Sequence, residues 1–206
     1  MVTLGCPKCW EVMDVYGLDD DILEFLPKPC AAGILLYPIT QISESKENFL
    51  GTPIEKSENM VFFKQQVSNA CGTIALLHAI GNNTDKIPLP AESLLGHIFS
   101  DKSHQCSEPI EKKLENIHTE ISKEGQTAVN VEDIKTNLHF VVLCEVDGQI
   151  IEFDGRKDGP VSHGPVSGRG LLNDAATVTK KFMKRDANEL NFSLMALCRS
   201  DSQEIA

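Results

Sequence analysis

The stretch Gln65-Gln66-Val67-Ser68-Asn69-Ala70-Cys71-Gly72-Thr73-Ile74-Ala75-Leu76-Leu77-His78-Ala79-Ile80 sets the frame for the rest of this 206-residue chain. Its second half, Ile74 to Ile80, is apolar at nearly every position and predicts a buried helix. Gly81 and Asn82 supply its stop signal. Ser68 and Asn69 carry side-chain oxygens of the kind that accept from the free N–H groups at a helix start, so they are expected as N-caps. Cys71 then falls in the first turn. The unpaired N–H groups and the helix dipole place partial positive charge there and favour a thiolate over a thiol. Gly72 leaves one side of the sulfur open. A free cysteine more often simply packs in a core. A catalytic reading of Cys71 therefore needs a base elsewhere in the chain that can reach it.

Composition narrows the field before that base is sought. Hydrophobic residues make up 41% and charged residues 24%, the proportions of an ordinary globular chain long enough to bury a core without covalent staples. The formal net charge is −11. That argues against nucleic acid and anionic membrane as partners and is compatible with a basic one. The seven cysteines, Cys6, Cys9, Cys30, Cys71, Cys106, Cys144 and Cys198, are odd in number and irregularly spaced. No secretory leader is visible, so a cytoplasmic protein with reduced thiols is expected. Cys6-Pro-Lys-Cys9 has no second pair to complete a zinc site and is read as surface thiols. No cofactor or metal is called for. The two glycosylation sequons, Asn82-Asn83-Thr84 and Asn191-Phe192-Ser193, are read as accidental.

Taken in order, the chain offers a short strand at Val12 to Tyr16. A helical turn opened by Asp19-Asp20-Asp21 follows, and Pro27 and Pro29 stop it. Cys30 to Ile39 is a continuous apolar run of strand length, as for a strand covered on both faces. Ser43 to Asn59 reads as loop with one helical turn, and Met60 to Phe63 as a strand feeding the Cys71 helix. Helices are expected at Ala91 to Ser100 and from Glu108-Pro109 to Ser122. Glu124 to Asn137 is expected to be a long loop. Leu138 to Val146 and Gln149 to Asp154 form a hairpin about Asp147-Gly148. Gly155 to Gly170 is glycine-rich and read as loop, Leu171 to Arg185 as helix, and Leu190 to Leu197 as a closing strand. The sum is one three-layered domain of α+β or α/β class.

The hairpin supplies the base. A two-residue turn at Asp147-Gly148 sets Val146 opposite Gln149, so His139 and Asp154 share a face as diagonal neighbours, about 7–8 Å apart at the backbone. A carboxylate there can hold one ring nitrogen of the imidazole and leave the other for a thiol. His78, roughly 10 Å along the helix from Cys71, is too far to take its proton and is read as packed or capping. His97, His104 and His118 are read as solvated. His163 is a rival base without a defined partner. Gln65, or its neighbour Gln66, could turn an amide toward the sulfur and form an oxyanion hole with the Cys71 N–H.

These residues resemble the ubiquitin C-terminal hydrolase family of cysteine peptidases. Lys64-Gln65, Asn69-Ala70-Cys71-Gly72-Thr73, Leu138-His139-Phe140, Asp147-Gly148 and Glu152-Phe153-Asp154-Gly155-Arg156-Lys157 match its signatures in order and spacing. Met13-Asp14-Val15-Tyr16-Gly17 and Leu36-Tyr37-Pro38-Ile39 match its N-terminal part. Lys180-Lys181-Phe182-Met183, Arg185-Asp186 and Ala196-Leu197 match its C-terminal part. The resemblance covers nearly the whole chain, as in short, single-domain members. It implies a papain-like α+β fold with a central antiparallel sheet between helices and a knotted backbone. It implies Cys71 as nucleophile, His139 as general base and acid, Asp154 as orienting acid and Gln65 as oxyanion donor. Asp14 and Leu138 fall where the family contacts ubiquitin, and Glu124 to Thr136 on its crossover loop. Family members usually carry a further leading segment before the stretch matching Leu4-Gly5, so a shortened N-terminal segment is expected here.

The activity so implied is release of small adducts or short peptides from the C-terminal glycine of ubiquitin by a monomeric thiol hydrolase. A ubiquitin-binding module with little turnover, and a hydrolase for another ubiquitin-like modifier, stay open beside it.

Overall fold

A computed structural model describes residues 1, 4–66, 69–100 and 137–200. Its centre is an antiparallel sheet of seven strands among these residues, in the order β1-β7-β2-β4-β5-β6-β3. In chain order the strands are β1 (Trp10–Asp14), β2 (Cys30–Pro38), β3 (Thr52–Pro53), β4 (Leu138–Val146), β5 (Gln149–Phe153), β6 (Val161–Pro165) and β7 (Ser193–Arg199). The helices are α1 (Asp20–Leu23), α2 (Cys71–Gly81), α3 (Leu94–Phe99) and α4 (Leu171–Arg185).

The sheet buries both faces. Successive side chains of a strand point to opposite sides, and the two cores sort by that alternation. Ile34, Val142, Cys144, Ile151 and Phe153 join α2 and α3 in one cluster, while Leu35, Tyr37, Val141, Leu143 and Ile150 join α4 in the other. This explains the unbroken apolar run of β2, which lies between β7 and β4 at the middle of the sheet. At Gly33 an added Cβ would stand 2.9 Å from the Ala175 Cβ, so glycine lets α4 sit close on the sheet. The class is α+β, three-layered, with helices on both sides of an antiparallel sheet.

Several elements depart from expectation. Met60 to Phe63 is not a strand. It is an extended segment whose backbone groups are taken by side chains of the next helix. The Val61 N–H donates to Asn82 Oδ1 at 2.8 Å, Asn82 Nδ2 donates to Val61 O at 2.9 Å, and the Phe63 N–H donates to His78 Nε2 at 2.9 Å. The glycine-rich Gly155 to Gly170 contains β6, and the polar stretch Ser43 to Asn59 contributes the two-residue β3, which pairs with β6. The helix read at Ala91 to Ser100 is shorter, starting after Ser93, whose Oγ accepts from the Gly96 N–H at 3.0 Å. Cys6 is a core residue at 2% exposure rather than a surface thiol. Burial pushes its thiol up to about 11. The helix from Glu108 to Ser122, the loop from Glu124 to Thr136, Cys106, His104 and His118 lie outside the described residues, as does the path through 101–136 on which a backbone knot depends. No helix among the described residues is long and apolar enough to cross a membrane.

Candidate active site

Cys71 is the first residue of α2, and the residue ahead of it, Ala70, is the N-cap. This corrects the expectation of a side-chain cap. Asn69 instead holds a left-handed backbone (φ 60°) at the sharp entry to the helix, and Ser68 lies outside the described residues. The amides of the first turn put the positive end of the helix dipole beside Cys71. Cys71 is half-buried. Gly72 lies against the Phe140 ring, an added Cβ there standing 3.6 Å from Phe140 Cδ2. α2 therefore packs its start directly on the start of β4.

The hairpin β4–β5 has the expected register, Val146 against Gln149 and Val142 against Phe153. Asp147 and Gly148 both adopt positive φ, 50° and 72°, as a tight hairpin turn of this twist requires. His139 Nε2 meets Asp154 Oδ1 at 2.6 Å, with both side chains 3% exposed. The same Oδ1 accepts from the Arg156 N–H at 2.8 Å. That leaves Nδ1 of His139 for the sulfur of Cys71.

The electrostatics follow from that geometry. Burial would lower the basicity of His139, but the Asp154 carboxylate and then the Cys71 sulfur outweigh it and raise the imidazole to about 9. Burial would raise the Cys71 thiol, but hydrogen bonding to His139 and to the Phe140 backbone brings it below the ordinary thiol value. Burial likewise opposes ionisation of Asp154, and the His139 bond with the Arg156 N–H brings it below the usual carboxylate range. The three shifts act in the same sense, each favouring the charged form: thiolate, imidazolium and carboxylate in a row. A thiolate so paired is a nucleophile with its proton donor already in place.

A cleft of about 900 Å³ opens over this row. Cys71, His139, Gln65, Leu138 and Arg156 line it, and Val12, Ile34, Leu36 and Met195 give it an apolar wall. Gln65, rather than the exposed Gln66, therefore shares the cleft with the sulfur. Leu138 is half-buried in its rim. Asp14 is exposed at the end of β1, opposite Met195 in register. Among the described residues no group of three or more His, Cys, Asp or Glu could hold a metal ion.

The other histidines fall away. His78 is fully buried, accepts from the Phe63 N–H, and stacks on Phe62 at 5.4 Å. His97 is exposed. His163 does have a partner: its Nε2 meets Glu152 Oε2 at 2.8 Å, and Lys157 Nζ takes the other oxygen at 2.5 Å. Its side chain is a buried strut on β6, and it does not line the cleft.

Residues 1–184 match the family model of ubiquitin carboxyl-terminal hydrolase, family 1. The chain belongs to that family. It is 42% identical over 200 residues to ubiquitin carboxyl-terminal hydrolase 3 of Arabidopsis thaliana, covering 92% of this chain and 83% of that one. It is 37% identical over 209 residues to the human isozyme L1, covering 96% and 91%. In fold it is similar to the Trichinella spiralis UCH37 catalytic domain solved bound to ubiquitin vinyl methyl ester, with a TM-score of 0.67, 21% identity, and 97% and 89% of the two chains covered.

Within this hydrolase-family frame, four residues that lie in the matching stretches have roles that only the structure shows. Gly155 is required by crowding, since an added Cβ would stand 2.9 Å from Ile74 Cγ2 and 3.0 Å from Gln65 Cβ. Arg156 pairs with Glu44 through two contacts, 3.1 and 2.7 Å. Tyr37, opposite His139 in register, sets its ring edge-on to the imidazole at 5.8 Å. Lys64 bonds to the turn that follows Asp154. The signal for them was their place in the matching stretches Leu36 to Ile39, Lys64-Gln65 and Glu152 to Lys157.

Proposed function

We propose that this chain is a cysteine hydrolase that frees the C-terminal glycine of ubiquitin from small adducts or short peptides. The observation that carries the reading is the buried row Cys71–His139–Asp154, open to a cleft that Gln65 also lines. Cys71 thiolate attacks the glycine carbonyl. The side-chain amide of Gln65 and the Cys71 N–H receive the oxyanion, an arrangement of preorganised donors worth several kcal/mol in comparable hydrolases. His139 gives its proton to the leaving amine or thiol, and the bond from carbonyl carbon to that group breaks. His139 then takes a proton from water, which attacks the thioester and releases free ubiquitin and the Cys71 thiolate. Asp154 holds the ring and supports its charge. Leu138 on the cleft rim and exposed Asp14 are the ubiquitin contacts in this reading. A chain of net charge −11 suits the basic tail of ubiquitin. The protein so read is a single catalytic domain, monomeric and cytoplasmic.

The test is cleavage of a ubiquitin C-terminal aminocoumarin amide by the purified chain, with Cys71→Ala beside it. Steady turnover by the wild type and none by the variant is the expected result. Equal turnover by the two would remove Cys71 from the mechanism, and a single burst without turnover would leave a ubiquitin-binding module.

A further inference from the structure

Gln65 lines the cleft and Asp154 stands behind His139, on segments far apart in sequence, and neither residue lies inside a helix or strand. Gln65 is carried by the extended segment 60–66, and Asp154 opens the turn that leaves β5. The segment is fixed to α2 by the His78 and Asn82 bonds at its beginning. At its far end it is fixed to the Asp154 turn. The Gln65 N–H donates to Gly155 O at 2.8 Å. Lys64 Nζ donates to Arg156 O at 3.2 Å, Lys157 O at 3.0 Å and Asp158 Oδ1 at 2.6 Å. One ammonium thus places all three of its donors on a single turn.

The ion pair within this group is solvated: the Lys64 side chain is 46% exposed and Asp158 fully so. Exposed pairs add little to stability. The two carbonyls matter more. They belong to consecutive peptides of the turn that begins at Asp154 and runs back toward β6. Closing them with a side chain from the residue next to Gln65 joins the two segments edge to edge. Gly155 lets the two segments lie this close, since a Cβ there would stand 3.0 Å from Gln65 Cβ.

We propose that Lys64 is a positioning residue for the hydrolysis: by seaming the 60–66 segment onto the Asp154 turn, it holds the Gln65 amide where the oxyanion forms. The proposal rests on the hydrolase reading above and deepens it. An ammonium suits the task because its three donors spread tetrahedrally over two carbonyls and a carboxylate. A guanidinium is longer and planar, and methionine has the reach but no donor. The seam acts on the transition state alone, because Gln65 meets a charged oxygen only there.

Turnover of the ubiquitin aminocoumarin amide by wild type, Lys64→Met, Lys64→Arg, Gln65→Ala and the Lys64→Met/Gln65→Ala double variant tests it. Lys64→Met is expected to lower kcat about tenfold with KM within about twofold, a fraction of what losing an oxyanion donor costs. The double variant is expected to be no slower than Gln65→Ala, and Lys64→Arg to fall between wild type and Lys64→Met. Inactivation of Cys71 by iodoacetamide, which needs the thiolate but no oxyanion hole, is expected to keep its wild-type rate. An unchanged kcat, a double variant slower by the product of the two effects, or a parallel fall in alkylation would each overturn the proposal. Hydrogen exchange at the Gln65 amide reads the seam without turnover. Protection lost in Lys64→Met is expected, and retained protection overturns the proposal even if the wild type proves inactive on ubiquitin substrates, an outcome that would separately sink the hydrolase reading.

Discussion

Replacing Asp154 with Asn keeps the shape of the side chain and removes its charge. In the wild type the His139 imidazole is raised from 6.5 to about 9. At about 1.4 kcal/mol per unit that is about 3 kcal/mol in favour of the imidazolium, already net of burial. Asp154 is the larger of the two supports and Cys71 the smaller. With the carboxylate gone and burial unchanged, His139 should lose at least half of the rise. The alkaline limb of kcat/KM then moves from near pH 9 to below about 8, costing about tenfold near pH 9 and progressively less toward pH 7. The affinity for free ubiquitin should change little, since Asp154 is 2% exposed and lies behind the imidazole. Stability carries the same signature with a defined sign. A base whose folded value is raised adds stability in full below 6.5 and loses it as pH climbs through 9, and an acid whose folded value is lowered adds its share above 3.8. Asp154→Asn should therefore lower Tm most between about pH 4 and 6.5 and least above 9. The assays are initial rates on the aminocoumarin amide from pH 5 to 10, a ubiquitin titration, and thermal melts across the same range. An alkaline limb that stays near pH 9 in the variant would refute the assignment of the imidazole's charge to this carboxylate.

Two further substitutions probe the walls of the site. Gly155→Ala should destabilise by about 1–3 kcal/mol and lower kcat, because the new methyl must displace Ile74 or the Gln65 backbone; urea unfolding and steady-state rates check both. His78 behaves oppositely to His139. Burial lowers it to about 4, so its unfolded form takes up a proton that its folded form refuses, and stability is lost as pH falls from 6.5 toward 4. In His78→Gln the loss of that acid slope should bring the two proteins about 3 kcal/mol closer at pH 4 than at pH 7, read from urea midpoints. A stability gap independent of pH would contradict the neutral, buried assignment.

Much of this arrangement could be read from local rules. Asp147-Gly148 dictates a turn, the turn dictates a register, and the register sets His139 beside Asp154. The unbroken apolar run of Cys30 to Ile39 marked a strand covered twice, and the start and stop of α4 followed from ordinary helix patterning. What could not be read shares one property: the partners that bond it lie outside its own element. Met60 to Phe63 has strand composition, but Asn82 and His78 take the hydrogen bonds that a neighbouring strand would have taken. β6 hides among glycines because β5 supplies its order from outside. Glu152, enclosed by Lys157 and His163, gave no periodic sign of being fully buried. Lys64 looked like any exposed lysine, since its three acceptors lie about ninety residues further along the chain.

The place of β7 between β1 and β2 has a consequence for biosynthesis. β1 pairs in register with β7, a segment translated some hundred and eighty residues later. On the ribosome β1 must wait, its edge bare, until the residues as far as β7 have been made. Protection of that early edge while the chain grows, by a chaperone or by transient local structure, is thus a demand written into the strand order itself.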